Sequence, residues 1–294
     1  MSKKQYGGQA VIEGVMMKGE DRVAIAVRKK EGDIKIKEED FSLPGQRFSF
    51  LGWPFIRGVV SLIFTLVLGI RSLSFSANEA AEDEDEEIKT WEMVVSILVA
   101  FGLAILFFVM LPAGIISLIQ ARIDSNLILN LIEGLIKITA FIAYVYFISR
   151  MEDIKRVFMY HGAEHKVIHN YESDKPLSVE NAREFTTLHP RCGTSFLFLV
   201  ILLSIFFFSF FGRPAFFYRI LYHLMLLPLI AGTSYELIKL AGKENAGFLV
   251  KILSWPGLAI QKLTTSEPDD SMLEVAIMAL NHVLPEKRGE KESV

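Results

Sequence analysis

The chain has 294 residues, a formal net charge of -3, 51% hydrophobic residues with 23 phenylalanines among them, and a mean hydropathy of +0.36. That is too apolar for an ordinary soluble domain and points to membrane embedding, while the near-neutral charge leaves no electrostatic footprint for nucleic acid. A single cysteine, Cys192, excludes an internal disulfide framework and leaves a free thiol, a ligand or simple packing.

The start, Met1-Ser2-Lys3-Lys4-Gln5-Tyr6, is polar and has no apolar h-region, so no cleaved signal peptide is expected. Residues 1–50 read as a small β-rich cytoplasmic unit. Gln9 to Met17 is apolar and β-branched enough for one buried strand; Arg22 to Arg28 and Asp33 to Lys37 alternate as two more, with a turn at Glu31-Gly32-Asp33. Three strands bury too little to stand alone, so the unit should pack on another part of the protein. Glu13, acidic within the apolar first strand, points either to solvent from an edge or toward the histidines farther along.

Residues 51–78 read as a helix in which only Gly58 to Ile70 is uncharged, between Arg57 and Arg71. Such a run reaches about 20 Å, against a hydrocarbon core of about 30 Å. Arg57, Ser61, Thr65, Gly69, Ser72 and Ser76 add a polar and small-residue stripe at spacings of three and four. The pattern predicts an interfacial or re-entrant helix with one face on a partner helix. Residues 79–93 contain the acidic run Glu79 to Glu87, read as a solvated loop, with docking of a basic partner as the second reading.

Residues 94–240 carry four expected transmembrane helices. Val94 to Ile119 is uncharged, with Trp91 as an interfacial anchor and Pro112 as a kink. Leu129 to Ser149 holds Glu133 and Lys137, an i,i+4 pair able to neutralise itself. Thr194 to Phe211 and Ile220 to Ile238, the latter containing Pro228, complete the set. The insertion 150–193 holds Arg150, Lys155, Arg156, Lys166, Lys175, Arg183 and Arg191, whereas the short connections hold Arg122 alone and Arg213 with Arg219. The basic excess places the insertion and both termini in the cytoplasm of a multi-pass cell-membrane protein. In residues 241–294, Phe248, Leu249, Ile252, Leu253 and Trp255 can bury at the headgroup boundary while Lys243 and Lys251 stay in water, and Pro256 ends that helix. A last helix is expected near Met272 to Val283, capped by Asp270 or Ser271, with Glu286 to Val294 frayed. The fold class is therefore mainly α: a polytopic helical membrane protein with about four transmembrane helices, an additional interfacial or re-entrant helix and a small N-terminal β unit.

The chemistry is concentrated in the insertion, which holds four of the six histidines and the cysteine. If Met151 to Glu172 is a helix, Ile154, Val157, Phe158, Ile168 and Tyr171 share a face with His161, Glu164 and His165, while Lys155, Arg156 and Lys166 point elsewhere. Two imidazoles one turn apart on an inward face can share a metal ion, and a neighbouring carboxylate can act as ligand or general base. H-x-x-E-H is also the pattern of the inverzincin peptidases. The alternative is a pair of hydrogen-bonded core histidines. His189 and Cys192 add a ligand-like H-x-x-C pair, and Glu236, in the last cytoplasmic turn of the fourth span, is costly there unless paired or metal-bound.

Imidazole with thiolate or carboxylate favours Zn²⁺, with iron or manganese admitted by geometry. Two arrangements stay open. His161, His165 and Glu236 with a water would leave Glu164 as general base for peptide or amide hydrolysis. Closure by His189 and Cys192 would make the site structural.

Gly8-Gln9-Ala10-Val11-Ile12-Glu13-Gly14-Val15-Met16-Met17, Tyr160-His161-Gly162-Ala163-Glu164-His165-Lys166, His189-Pro190-Arg191-Cys192-Gly193-Thr194-Ser195 and Gln261-Lys262-Leu263-Thr264-Thr265-Ser266-Glu267-Pro268 stand in this order. Together they resemble the YqhQ-like family of bacterial membrane proteins, domain of unknown function 1385, often labelled a predicted metal-dependent enzyme. The resemblance implies a membrane placement and a metal centre at His161, Glu164, His165, His189 and Cys192, with Glu13 as a contributor, and names no substrate. Two functions follow: a cytoplasm-facing zinc hydrolase, or a non-catalytic metal-stabilised membrane scaffold or assembly factor acting through protein partners. Expected partners are the lipid bilayer and a membrane-protein partner or a second copy of the chain. A transporter is disfavoured by the lack of an internal repeat and by the scarcity of mid-membrane charge.

Overall fold

Alternation of apolar side chains along short strands, followed by long apolar helices, yields a mainly helical protein with a four-stranded sheet at its N-terminus. The structure is a computed structural model, describing residues 6–42, 49–81, 89–210, 216–242 and 247–285. Most of the acidic run and the tail from Glu286 lie outside the described residues. Strands β1 (Gly7–Val11), β2 (Gly14–Lys18), β3 (Arg22–Arg28) and β4 (Ile34–Asp40) form an antiparallel meander in the order β1-β2-β3-β4. The run from Gln9 to Met17, expected as one strand, folds back on itself. Val11 pairs with Gly14, and Glu13 turns the chain with a φ of 49°. No Asn-Gly or Gly-Gly pair marks this turn, which is why the pattern reads as continuous.

Ten helices follow among the described residues: α1 (Ile56–Ala80), α2 (Thr90–Ile105), α3 (Leu111–Ile119), α4 (Asn126–Ile148), α5 (Glu152–Glu172), α6 (Val179–Arg183), α7 (Gly193–Ser209), α8 (Phe216–Ala241), α9 (Phe248–Thr264) and α10 (Asp270–Asn281). The sheet is the middle layer of a sandwich. Val15, Met17, Ala24 and Ala26 face Tyr160, Ala163, Val167 and Ile168 of α5 and Met272, Val275, Ala276 and Ala279 of α10. Met16, Val23, Ile25 and Val27 face Leu68 and Phe75 of α1. Successive strand residues point to opposite faces, so β2 and β3, covered on both, are apolar without interruption. The β unit thus packs on the rest of the chain as expected.

α1 lies where a helix was expected. It is one helix of 25 residues, and by length and composition it joins Trp91–Arg122 and Asn126–Ile148 as the three helices among the described residues long and apolar enough to cross a membrane. Its halves have different surroundings. Ile56, Leu62, Ile63, Leu66 and Val67 are exposed, whereas Leu68, Gly69, Ser72 and Ser76 are buried. The small-residue stripe therefore meets two partners: its first turn lies on α8, as expected of a face on a partner helix, where Gly58 sits against Gly232 and Tyr235, and its last turns meet the sheet, where the Ser76 hydroxyl accepts a hydrogen bond from Ile12 N. At its start, Arg57 is paired with Glu236 of α8.

α2 runs into α3 through a π-helical turn, Leu106–Met110, with Pro112 in the first turn of α3, where a missing backbone donor costs least. Glu133 and Lys137 form the expected ion pair at 2.9 Å, buried within α4. α7 is apolar but 17 residues long. α8 and α9 continue through Pro228 and Pro256, so Pro256 does not end its helix as expected. The cap of α10 is Asp269, whose carboxylate accepts from Met272 N at 3.0 Å, one residue before the expected Asp270.

Candidate metal centre

α5 begins and ends where its apolar period places it, between Met151 and Ser173. Tyr160, Ala163 and Val167 enter the core shared with the sheet. The adjoining stripe of His161, His165 and His169, spaced by four residues each, faces the loop before α7 and the end of α9. Each of the first two imidazoles is oriented by a backbone carbonyl: Nδ1 of His161 lies 2.8 Å from Thr264 O, and Nδ1 of His165 lies 2.5 Å from Thr187 O. A ring nitrogen donating to a carbonyl fixes the tautomer and leaves Nε2 with its lone pair available, the usual arrangement behind a metal-binding histidine.

Cys192 caps α7. Its sulfur accepts from Thr194 N at 3.4 Å and lies 3.2 Å from His161 Nε2. One ligand atom from each of His161, His165 and Cys192 falls within 4.8 Å of the others. Two imidazoles and a thiol, the histidines tied from behind and all three side chains converging, form a donor set that fits Zn²⁺. Glu164 lines the same cavity; it is 5% exposed and takes a backbone hydrogen bond from Gly8 of β1. Burial pushes its carboxyl up to about 7, against the opposing pull of His161 and the Gly8 N–H. A Cβ at Gly8 would stand 2.9 Å from Glu164 Cγ, so only glycine lets β1 approach this closely.

Two further devices hold the loop and the helix. Gln261 of α9, wholly buried, accepts from His189 N at 2.8 Å and donates to His189 O at 2.9 Å and to Ser195 Oγ at 2.8 Å. Gly162 lets the segment after α9 lie directly on α5, where Ser266 N donates to Phe158 O at 2.9 Å.

His189 is not in the first group. Its ring centroid is 5.4 Å from that of His165, and it forms a second group with His169 and Glu172. There Arg191 pairs with Glu172. Burial opposes ionisation of Glu172, but the facing His189 and Arg191 hold its carboxyl down at about 2. Burial lowers His189 to about 4. A guanidinium that already neutralises the only carboxylate makes this second group a poorer cation site than the first.

Glu236 is also placed elsewhere: its carboxylate is bound by Arg57 at the α1–α8 contact, which supplies the counter-charge that its position demands. Glu13, at the β1–β2 turn, pairs with Arg156 on the outer side of α5 and does not reach the histidines. Lys166, on another face of α5 from the histidines, is buried; its ammonium meets Arg183 O at 3.0 Å and Glu267 at 2.8 Å. The sequence reading missed His169, Glu172 and Gln261. His169 was signalled by the four-residue repeat of histidines and Glu172 by its place one turn further on, three residues after His169, whereas Gln261 had no signal beyond its motif.

The cluster opens into a cavity of about 490 Å³, bounded by β1, the middle of α1, α5 and the first turn of α7. The family described as "Protein of unknown function (DUF1385)" matches residues 53–286. The chain is also 35% identical over 296 aligned residues to the "Uncharacterized protein YqhQ" of Bacillus subtilis (strain 168), covering 95% of this chain and 92% of that relative. No solved structure matches.

Proposed function

The chain belongs to the DUF1385 family, whose description assigns no function, and from the site itself we propose a membrane-embedded, zinc-dependent hydrolase of amide bonds. The observation that carries this is the convergence of His161, His165 and Cys192 with the buried carboxyl of Glu164 on one cavity. A bound zinc ion would supply Lewis acidity to polarise a substrate carbonyl. His161 and His165 would hold the ion through Nε2, oriented by Thr264 O and Thr187 O, with Cys192 as third ligand. Glu164 takes the proton from an attacking water and returns it to the leaving nitrogen, while Gly8 N–H holds the carboxylate in place. With His189 in the second group, three protein donors remain, Cys192 standing where Glu236 was expected, which favours a site with an open position over a closed four-ligand one.

In this reading the protein lies in the cell membrane with the cluster and both termini on the cytoplasmic side. Four helices cross: α2 with α3, α4, α7 and α8. α1 enters only in part, because Leu68 to Ala80 is committed to the sheet and the remaining turns span about 18 Å.

The test is metal content with turnover. Purified wild type should hold about one zinc per chain. His161→Ala and Cys192→Ala should lose it, and Glu164→Gln should keep it while losing hydrolysis of an amide reporter. An E164Q protein with full turnover would remove Glu164 from the mechanism. The scaffold reading is favoured by one observation, that the cluster joins α5 to the start of α7. It predicts that chelation lowers the melting temperature without any associated turnover.

A further inference from the structure

The cavity beside the cluster has two kinds of wall. One end carries His161, Glu164, His165 and Cys192. Away from them, α1 contributes Leu62, Leu66, Ile70 and Leu73, with Thr65 as the one hydroxyl among them, and α7 contributes Phe196 and Leu197, while Tyr6, Gln9 and Arg191 add polar groups elsewhere in the lining. These walls are open as well as apolar: Leu66 is 49% and Leu197 51% exposed, on two apolar helices between which the cavity lies. Its volume, about 490 Å³, is that of a ligand site rather than a packing defect.

Resting on the metal-hydrolase reading, we infer that the substrate is a lipid-class amphiphile, an acyl amide or ester whose carbonyl sits at the cluster and whose hydrocarbon chain lies between α1 and α7. A chain of methylenes needs no hydrogen-bond partner and gains from leaving water. An extended peptide in the same place would set an N–H and a C=O against leucine at every residue, which costs heavily unless each is paired. On β1, the edge strand that lines the cavity, the Gly8 N–H is already taken by Glu164. Hydrolysis adds water across the acyl bond. The carbonyl carbon gains the hydroxyl, the bond to nitrogen or oxygen breaks with its electron pair on the departing atom, and that atom receives the proton carried by Glu164. The fatty acid can leave by the path its chain already occupies.

The test uses the full chain, loaded with Co²⁺, in nanodiscs of phosphatidylethanolamine and phosphatidylglycerol. The visible spectrum of the cobalt reads coordination at the cluster by hydroxamates of increasing chain length. Wild type is compared with Leu66→Trp and Leu197→Trp, each filling one wall without adding charge. Partitioning of the probes into the bilayer is the same for all three proteins and cancels in the comparison. Acetohydroxamate should bind all three alike. Dodecanohydroxamate should bind wild type at least tenfold more tightly than either variant, since displacing two methylenes costs roughly fifteenfold at about fourfold each. Cobalt bound normally with the same chain-length dependence in all three proteins would overturn the amphiphile and leave the metal reading intact. A leucyl-leucine hydroxamate binding wild type more tightly than an alkyl hydroxamate of equal carbon number would also overturn it, in favour of a peptide. Failure of cobalt to bind at all would overturn the metal reading and this inference with it.

Discussion

Replacing Gly162 with alanine tests whether the segment after α9 orients the metal-binding face of α5. A methyl there would lie 2.1 Å from Ser266 O and 3.2 Å from Thr187 Cγ2. Ordinary contact begins near 3.5 Å, so the segment must retreat by about 1 Å or more. It cannot do so freely, because Ser266 N is bonded to Phe158 O, and Thr264, two residues earlier, holds His161 Nδ1. Overpacking of this kind costs about 1–3 kcal/mol. Loss of the carbonyl behind a metal-binding histidine weakens metal affinity by about 10–100-fold. Gly162→Ala should therefore lower both the thermal midpoint and the zinc affinity, the latter measured by competition with a chromophoric chelator. Gly102→Ala on α2, where nothing lies within 4 Å of the added methyl, is the control and should change neither downward. A G162A protein with wild-type zinc affinity would refute the claim that the α9 end orients His161.

Glu236→Gln should leave zinc stoichiometry unchanged by elemental analysis, since that carboxylate is bound to Arg57 and lies outside the cluster; loss of zinc would return Glu236 to the ligand set. Gln261→Leu strands the His189 N–H and O and the Ser195 hydroxyl, and should destabilise by about 2–4 kcal/mol in denaturant unfolding. In metal-free protein, Glu164 carries a carboxyl raised to about 7 from 4.5 by burial. The native state then holds a proton that the unfolded state has released, so stability falls as pH rises from about 4.5 to 7, by about 3 kcal/mol. Glu164→Gln should flatten that fall, and equal slopes for wild type and E164Q would contradict the assignment. His169→Gln should retain zinc, because the first group does not include residue 169.

Where a residue's role depends on its neighbours in the chain, the sequence sufficed. The bounds of α5, the apolar helices α2 and α4, the Glu133–Lys137 pair and the shared face of His161 and His165 all follow from periodicity and hydropathy, which act over a few residues. Cys192 was legible by type, as a thiol beside a histidine at the start of an apolar helix. The same logic would have extended the stripe to His169 had the repeat of four been followed one turn further.

What the chain order does not encode is which counter-charge reaches which group across the fold. Glu236 reads as a ligand because a carboxylate in that place needs a cation, but the cation is Arg57, 179 residues away in sequence. Glu13 looks equally available until the β1–β2 turn sets it beside Arg156. The assignment of α1 depends in the same way on the sheet: its composition allows a span, and only the packing of Leu68, Ser72 and Ser76 shows that half of it is occupied elsewhere. Local periodicity determined the helices and the donor types; the pairing of distant charges and the division of one apolar helix between two surroundings were decided by tertiary contact, because an electrostatic or hydrophobic partner acts through space and leaves no trace in sequence spacing.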